Sequence, residues 1–410
     1  MNFRQFSTRY FGNHTSRELK ELYLSTGILA FAGALISIFE PIYLYKLGFS
    51  LRDVFLFFGA VYAGYLFLLP IGGKIALRIG FEHSILLSTP FLILYYFVLN
   101  AMQSYPGLIV VAGLFLVAEK ILYWPAFHAE LSFFGASGER GREISSVVFI
   151  NRIVAVFAPA LGGVLLTYVG PSVTFLIVSF CILLSNVPLL LTPEIHRKEK
   201  MAYREPWQFL VAKRMRRTVV AFAGFGDEAI WYIGWLIFVF TVVKGFEPVG
   251  FIISGSLILG TFAAMFIGRI IDARMSRFGA EGATPVVRFG ALLLLLVWIF
   301  RILLPRGIGI FLVETLDRIA FPAVGMPLRA MTYELARADH TMPTIVALEM
   351  ALSVGKLVAI GLAVIVVSVF DPPWVPLFMI GWCFTLLYFV FGSGKKQLVS
   401  LSPNPTERIS

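Results

Sequence analysis

Twelve apolar runs, each about 20 residues long and bounded by Gly, Pro or charge, dominate the 410-residue chain. They fall at Leu22–Tyr45, Val54–Gly72, Ser84–Met102, Leu108–Ala129, Val147–Val169 and Val173–Leu191, then at Val219–Val243, Val249–Ile271, Val286–Leu304, Ile308–Leu328, Thr344–Val369 and Val375–Gly392. As an α-helix, a run of this length spans the hydrocarbon of a bilayer and satisfies its own backbone hydrogen bonds there. A chain with 58% apolar and 14% charged residues is neither an ordinary soluble enzyme nor a disordered polymer. The 36 glycines suit helices that must pack closely in lipid. The sequence predicts an all-α polytopic membrane protein of twelve transmembrane helices in contact with the bilayer. Cys181 and Cys383 each sit in an apolar run and are read as small buried side chains, which leaves no metal site or disulfide framework.

Orientation follows from Lys and Arg. One set of loops with both tails holds 25 of them, and the opposite set holds four: Lys46, Arg52, Lys244 and Arg306. Both termini are therefore expected in the cytoplasm, across a cytoplasmic (plasma) membrane. The net charge of +10 reflects this sidedness and needs no nucleic-acid partner. The expected organisation is a cytoplasmic tail (1–21), a six-helix half (22–191), a basic linker (192–218), a second half (219–392) and a cytoplasmic tail (393–410). In the linker, Trp207, Phe209, Leu210 and Val211 precede the basic Lys213–Arg217 cluster, a pattern suited to a helix lying at the anionic leaflet.

The halves read as repeats of each other, with pseudo-two-fold symmetry. Gly73 and Gly268 close the second helix of each half, Pro125 and Pro322 sit in each fourth helix, and Arg152 and Glu349 in each fifth, at near-constant offsets of 195 to 197. In Gly73-Lys74-Ile75-Ala76-Leu77-Arg78-Ile79-Gly80-Phe81 and Gly268-Arg269-Ile270-Ile271-Asp272-Ala273-Arg274, the chain resembles the major facilitator superfamily, whose loop signature is Gly-x-x-x-Asp-Arg-x-Gly-Arg. The first copy keeps Gly73, Arg78 and Gly80 with Leu77 at the acidic position; the second keeps Gly268 and Asp272. The resemblance implies a gate in which Arg and Asp pair across the cytoplasmic ends of the halves. Ala158-Pro159-Ala160-Leu161-Gly162-Gly163 is similar to a Gly-Pro-x-x-Gly-Gly segment of the superfamily's antiporters, and reads either as a packing kink or as an antiporter marker. Glu130 with Arg140-Gly141-Arg142 resembles a structural cytoplasmic pattern of the same family.

Ionisable side chains inside spanning helices are costly and point to function. By the resemblance, the first, fourth, seventh and tenth helices line the cavity, and they carry Glu40, Glu119, Lys120, Asp227, Glu228, Glu314, Asp317 and Arg318. Six acids against two bases give a formal charge near minus four, so some carboxylates are expected to hold protons or to meet a cationic substrate. Glu40 and Glu314 lie near helix ends, where water is within reach. Glu314 and Arg318 are spaced to neutralise each other, and Lys120 has Asp227, Glu228 or Asp317 as partners. Trp231, Tyr232 and Trp235 offer an aromatic wall to an apolar or cationic ligand, or ordinary packing. Glu349 and Lys356 lie on one face of the eleventh helix, and with Arg152 pair within halves or gate between them. His128 reads as a solvated or capping residue.

The expected function is proton-coupled export, by alternating access, of a small amphipathic or cationic organic molecule. Asp227, Glu228, Glu119, Lys120, Asp317 and Arg318 are the candidates for substrate and proton. Gly73, Arg78, Gly80, Gly268, Asp272, Pro159, Gly162, Gly163, Arg152, Glu349 and Lys356 are the candidates for gating. No phosphate-cradling loop is present, so the proton gradient is the expected energy source, with no cofactor and a monomer as the working unit. A nutrient symporter, a membrane-embedded lipid-modifying enzyme and a non-transporting receptor are the alternatives.

Overall fold

The computed structural model describes residues 17–134, 156–190, 199–278, 282–338 and 341–391, and within them every regular element is helical. The helix α1 runs through Arg17–Ile36, a 3-10 turn at Ser37–Phe39 and Glu40–Lys46; α2 is Leu51–Ile79, α3 Phe81–Ala101, α4 Ile109–Phe134, α5 Val156–Val169 and α6 Pro171–Leu189. After a short linker helix at Glu205–Val211, α7 comprises Arg216–Ala223, Gly226–Ala229, a π-helical stretch at Ile230–Trp235 and Leu236–Val243. Then follow α8 (Phe246–Phe278), α9 (Thr284–Leu303), α10 (Ile308–Ala338), α11 (Thr341–Val369) and α12 (Trp374–Thr385 with Leu386–Val390). Among the described residues, nine helices are long and apolar enough to cross a membrane, and Val156–Val169 and Trp374–Val390 are shorter apolar helices. α10 stands outside that set because Glu314, Asp317 and Arg318 interrupt its apolar stretch.

Local chemistry sets the helix ends. Ser50 and Asp53 form a reciprocal capping box at the start of α2. Gly80, at φ +100°, makes the sharp turn from α2 into α3, a conformation that side-chain-bearing residues avoid. Several helices outrun their apolar runs: α8 has 33 residues, about 50 Å, so its polar end projects beyond any hydrocarbon layer. Cys383 is exposed, contrary to its reading as a buried side chain, because an apolar group on the outer face of α12 needs no protein neighbour in lipid; Cys181 is half-buried.

Close backbone crossings hold the bundle together. A Cβ at Gly162 of α5 would strike the Leu35 carbonyl of α1, and one at Gly355 of α11 would strike the Ala223 carbonyl of α7. Likewise Gly72 of α2 abuts Ile121 of α4, and Gly260 of α8 abuts Arg318 of α10. Each pair joins helices at equivalent places in α1–α6 and α7–α12. Gly224 and Gly226, just before Asp227, let α7 meet the rings of Tyr388 and Phe384 on α12.

Two of the contacts that join α1–α6 to α7–α12 are close helix crossings. α5 lies on α8, where Gly163 meets the Phe246 carbonyl, Gly250 meets Pro159, and the Ala160 N–H donates to Ser254 Oγ at 2.9 Å. The Ala158–Gly163 segment is thus a packing surface. α2 runs along α11 from Gly59, beside Ile360, to Gly73, whose Cβ would lie 2.9 Å from Val346 and from Met201. The linker straps this seam: Glu199 accepts from the Met342 N–H at 3.2 Å, and Tyr203 Oη donates to the Phe67 carbonyl at 2.9 Å. Trp207 packs against Phe67, and Phe209 and Leu210 pack on the core, while Val211 stays exposed.

Candidate functional site

A cavity of about 640 Å³ lies between α1, α2, α3, α4, α7, α10 and α11. Next to Glu40 in the chain, Phe39 meets Phe246 edge-on at 5.7 Å, and Trp235, Phe238 and Phe378 pack on one another in the same buried cluster. Lys46 sits 4.7 Å over the Phe246 ring, and Tyr168 donates to Glu247 at 2.9 Å, tying α1 and α5 to α8. At the linker end the cavity reaches His128, Arg329, Thr332 and Tyr333.

The charged lining differs from the sequence expectation. It consists of Glu40, Glu119, Glu228, Glu349, Lys120, Lys356 and Arg329, with His128 beside them. Among the described residues four carboxylates face three cations, a formal charge near minus one rather than minus four. Asp227, Glu314, Asp317 and Arg318 leave the count because they turn into the packing of α7–α12. Asp227 accepts from Tyr388 Oη at 2.9 Å and Thr385 Oγ1 at 3.2 Å, both on α12. Asp317 pairs with the fully buried Arg301 at 3.0 Å, whose guanidinium lies 4.1 Å from the Trp298 ring and 5.1 Å from that of Trp235. Glu314, also fully buried, takes Arg318 at 2.7 Å and the indole N–H groups of Trp235 and Trp231 at 2.9 and 3.3 Å.

Glu40 does not turn to interfacial water at a helix end: it is buried in the cavity wall and accepts from Tyr95, Tyr96 and Tyr232 at 3.2, 3.1 and 3.0 Å. Lys356 pairs with Glu228 at 2.7 Å and donates to Tyr62 Oη at 3.2 Å, so the partner of Glu228 is not Lys120. Glu119 and Lys120 also line the cavity. Glu119 is 8% exposed, and among the described residues neither group has a hydrogen bond or ion pair; Lys120 acts electrostatically on Glu119 and Glu40. Trp231 and Tyr232 line the wall, as do Tyr123 and Trp124, while Trp235 faces Glu314. The π-helical stretch of α7 carries these α7 rings, and its inserted residue alters their angular spacing.

The gating candidates separate. Gly73 makes a tight crossing, Gly80 makes a turn, and Gly268 has nothing within 4 Å of an added Cβ. Arg78 is exposed and has no ion pair with a described residue. Arg152 and Arg140-Gly141-Arg142 lie outside the described residues, as does the side chain of Asp272. Glu349 joins His128 at 3.3 Å and Tyr65 at 3.0 Å. His128 is not a solvated cap: it is buried, and its partners are on α10 and α11. Sequence reasoning missed Tyr62, Tyr65, Tyr333 and Arg329; a tyrosine amid 15 in an apolar chain carries no local signal.

Residues 22–342 match the sequence model of the Major Facilitator Superfamily. No curated protein matches the chain. Among solved structures, it is similar to the crystal structure of a bacterial homologue of the iron transporter ferroportin in an outward-facing state, with a TM-score of 0.64 and 12% identity over 94% of this chain and 99% of that one. At that identity the likeness establishes the fold. Family and fold are those of membrane transporters and not of enzymes, and the chain belongs to the major facilitator superfamily.

Proposed function

We propose that the chain is a proton-coupled secondary transporter that exports a small amphipathic or cationic organic molecule by alternating access. Twelve crossings form two six-helix halves, both termini face the cytoplasm, and a monomer in the cytoplasmic membrane is the working unit. The observation that carries this reading is Glu119, a buried carboxylate in an aromatic-lined cavity with no hydrogen-bond donor among the described residues. Such a group gains most from a ligand that brings a cation or a donor, or from a proton, and those two compete for it. Glu228 with Lys356, and Lys120 beside Glu119, complete the substrate-facing set. Asp227 serves by holding α7 to α12. Iron, the cargo of the ferroportin to which the similar structure is homologous, suits this cavity less well: among the described residues no three His, Cys, Asp or Glu side chains gather as a metal site needs, and two ammonium groups share the wall.

The test is uptake of amphipathic ammonium dyes into proteoliposomes under an imposed pH gradient. The proposal expects gradient-driven dye accumulation that Glu119→Gln reduces at least tenfold while the protein stays monodisperse. Equal accumulation by the variant removes Glu119 from the site, and accumulation that requires the proton gradient in the opposite sense turns the reading into symport.

A further inference from the structure

We propose that His128 is a proton-carrying latch at the linker-end mouth of the cavity: as an imidazolium paired with Glu349 it holds α4 against α11, and loss of its proton releases them. The inference rests on the transporter reading only for the use made of the proton.

Four side chains from four helices meet here. His128 Nε2 of α4 lies 3.3 Å from Glu349 Oε1 of α11, and Nδ1 lies 3.0 Å from Tyr333 Oη of α10. Tyr65 Oη of α2 donates to Glu349 Oε2 at 3.0 Å. An ionised carboxylate only accepts, so Nε2 carries a hydrogen in either charge state and Nδ1 is the position that titrates. Tyr333 serves both states, donating to bare Nδ1 and accepting from protonated Nδ1. The proton can therefore come and go without leaving a buried polar atom unsatisfied. What changes is the strength of the bond between α4 and α11, from a neutral donor on a carboxylate to a full ion pair in a low-dielectric wall.

The ring is 7% exposed and stacks on Trp124 at 5.5 Å, yet it lines the cavity, so water reaches it from within. Among the described residues, the charged and titratable groups around it are Tyr65 on α2, Glu130 on α4, Glu228 on α7, Arg329 and Tyr333 on α10, and Glu349 and Lys356 on α11. With His128 neutral, the described lining holds four carboxylates against three cations, so a proton on His128 makes the formal charge of the wall less negative. A proton taken up through the cavity stays while the mouth is closed and leaves at the linker end when α4 and α11 part. With that end in the cytoplasm, this is the direction of proton flow that drives export.

The experiment reads mouth opening without any substrate. Thr332→Cys lines the cavity and Lys200→Cys is an exposed control, both in a chain with Cys181 and Cys383 changed to Ser. Nanodisc-embedded protein is labelled with a membrane-impermeant maleimide between about pH 5.5 and 8.5. The rate at position 332 relative to position 200 should rise with pH by up to tenfold per unit, the slope of one proton, and should be flat in His128→Gln, which keeps a donor for Glu349 but does not titrate. Glu349→Gln, which removes the anion, should label readily at every pH, and it decides the matter if His128→Gln does not fold. A flat wild-type profile, or a variant that titrates like wild type, overturns the latch. Dye accumulation that persists beside such a result leaves the proposed export standing, whereas a pH-switched mouth with no gradient-driven dye uptake sinks proton-coupled export of a cation and keeps the latch.

Discussion

Lys356 of α11 donates to Glu228 of α7 at 2.7 Å in the cavity wall, and its second contact, Tyr62, lies across the seam on α2. One ammonium thus joins the anion of its own helical set to a hydroxyl of the other. Removing either member leaves the other charge unpaired in the cavity wall, with the Lys356 ammonium the more deeply buried of the two. Glu228→Gln and Lys356→Met should each lower stability by roughly 1–3 kcal/mol, read as thermal unfolding in detergent. The double variant should lose less than the sum of the two. Strict additivity would mean that the pair contributes no coupling.

Gly162 and Gly268 occupy prominent motifs in the sequence, but only Gly162 touches a neighbour's backbone. Gly162→Ala drives its Cβ into the Leu35 carbonyl and should destabilise the bundle by about 1–3 kcal/mol or more. Gly268→Ala has open space and should be neutral or slightly stabilising through helix propensity. Melting curves of both variants check this; equal losses would contradict the crossing of α1 and α5.

Arg301 is fully buried between Trp298 and Trp235 with its charge on Asp317. A lysine lacks the planar face that stacks on indole, so Arg301→Lys should not rescue the fold. The expected outcome is a loss of monodisperse protein for both Arg301→Lys and Arg301→Leu, with Asp317→Asn milder. Wild-type behaviour of Arg301→Lys would reduce the site to a simple ion pair.

Topology is open to direct test. Cysteines at Lys200 and Lys244 in the background without native cysteines should label from opposite faces of intact cells, with Lys200 on the cytoplasmic side. Labelling from one face would remove the two-half arrangement and, with it, the assignment of the linker end to the cytoplasm.

The helices were legible because their signal is local. An apolar run between Gly, Pro and charge declares a spanning segment whatever surrounds it, and the positions of Lys and Arg point to a sidedness without reference to any contact. Gly80 at its turn, the capping pair Ser50 and Asp53, and the neutralising spacing of Glu314 and Arg318 are local in the same sense, since each involves residues within a turn or two. The site was not legible in that way. Tyr65 and Glu349 are 284 residues apart, and His128 and Tyr333 are 205 apart, so nothing near His128 in the chain distinguishes a latch from a capping residue. Asp227 and Glu228 are neighbours in sequence, yet about 100° of helix rotation turns one toward α12 and the other toward Lys356. The sequence by itself determined that the chain is all-helical and apolar enough for a membrane, and which side chains carry charge into its apolar runs. Only the packing of α1–α6 on α7–α12 decided which of those charges face the cavity, because a buried charge is defined by the partners brought to it and those partners come from distant parts of the chain.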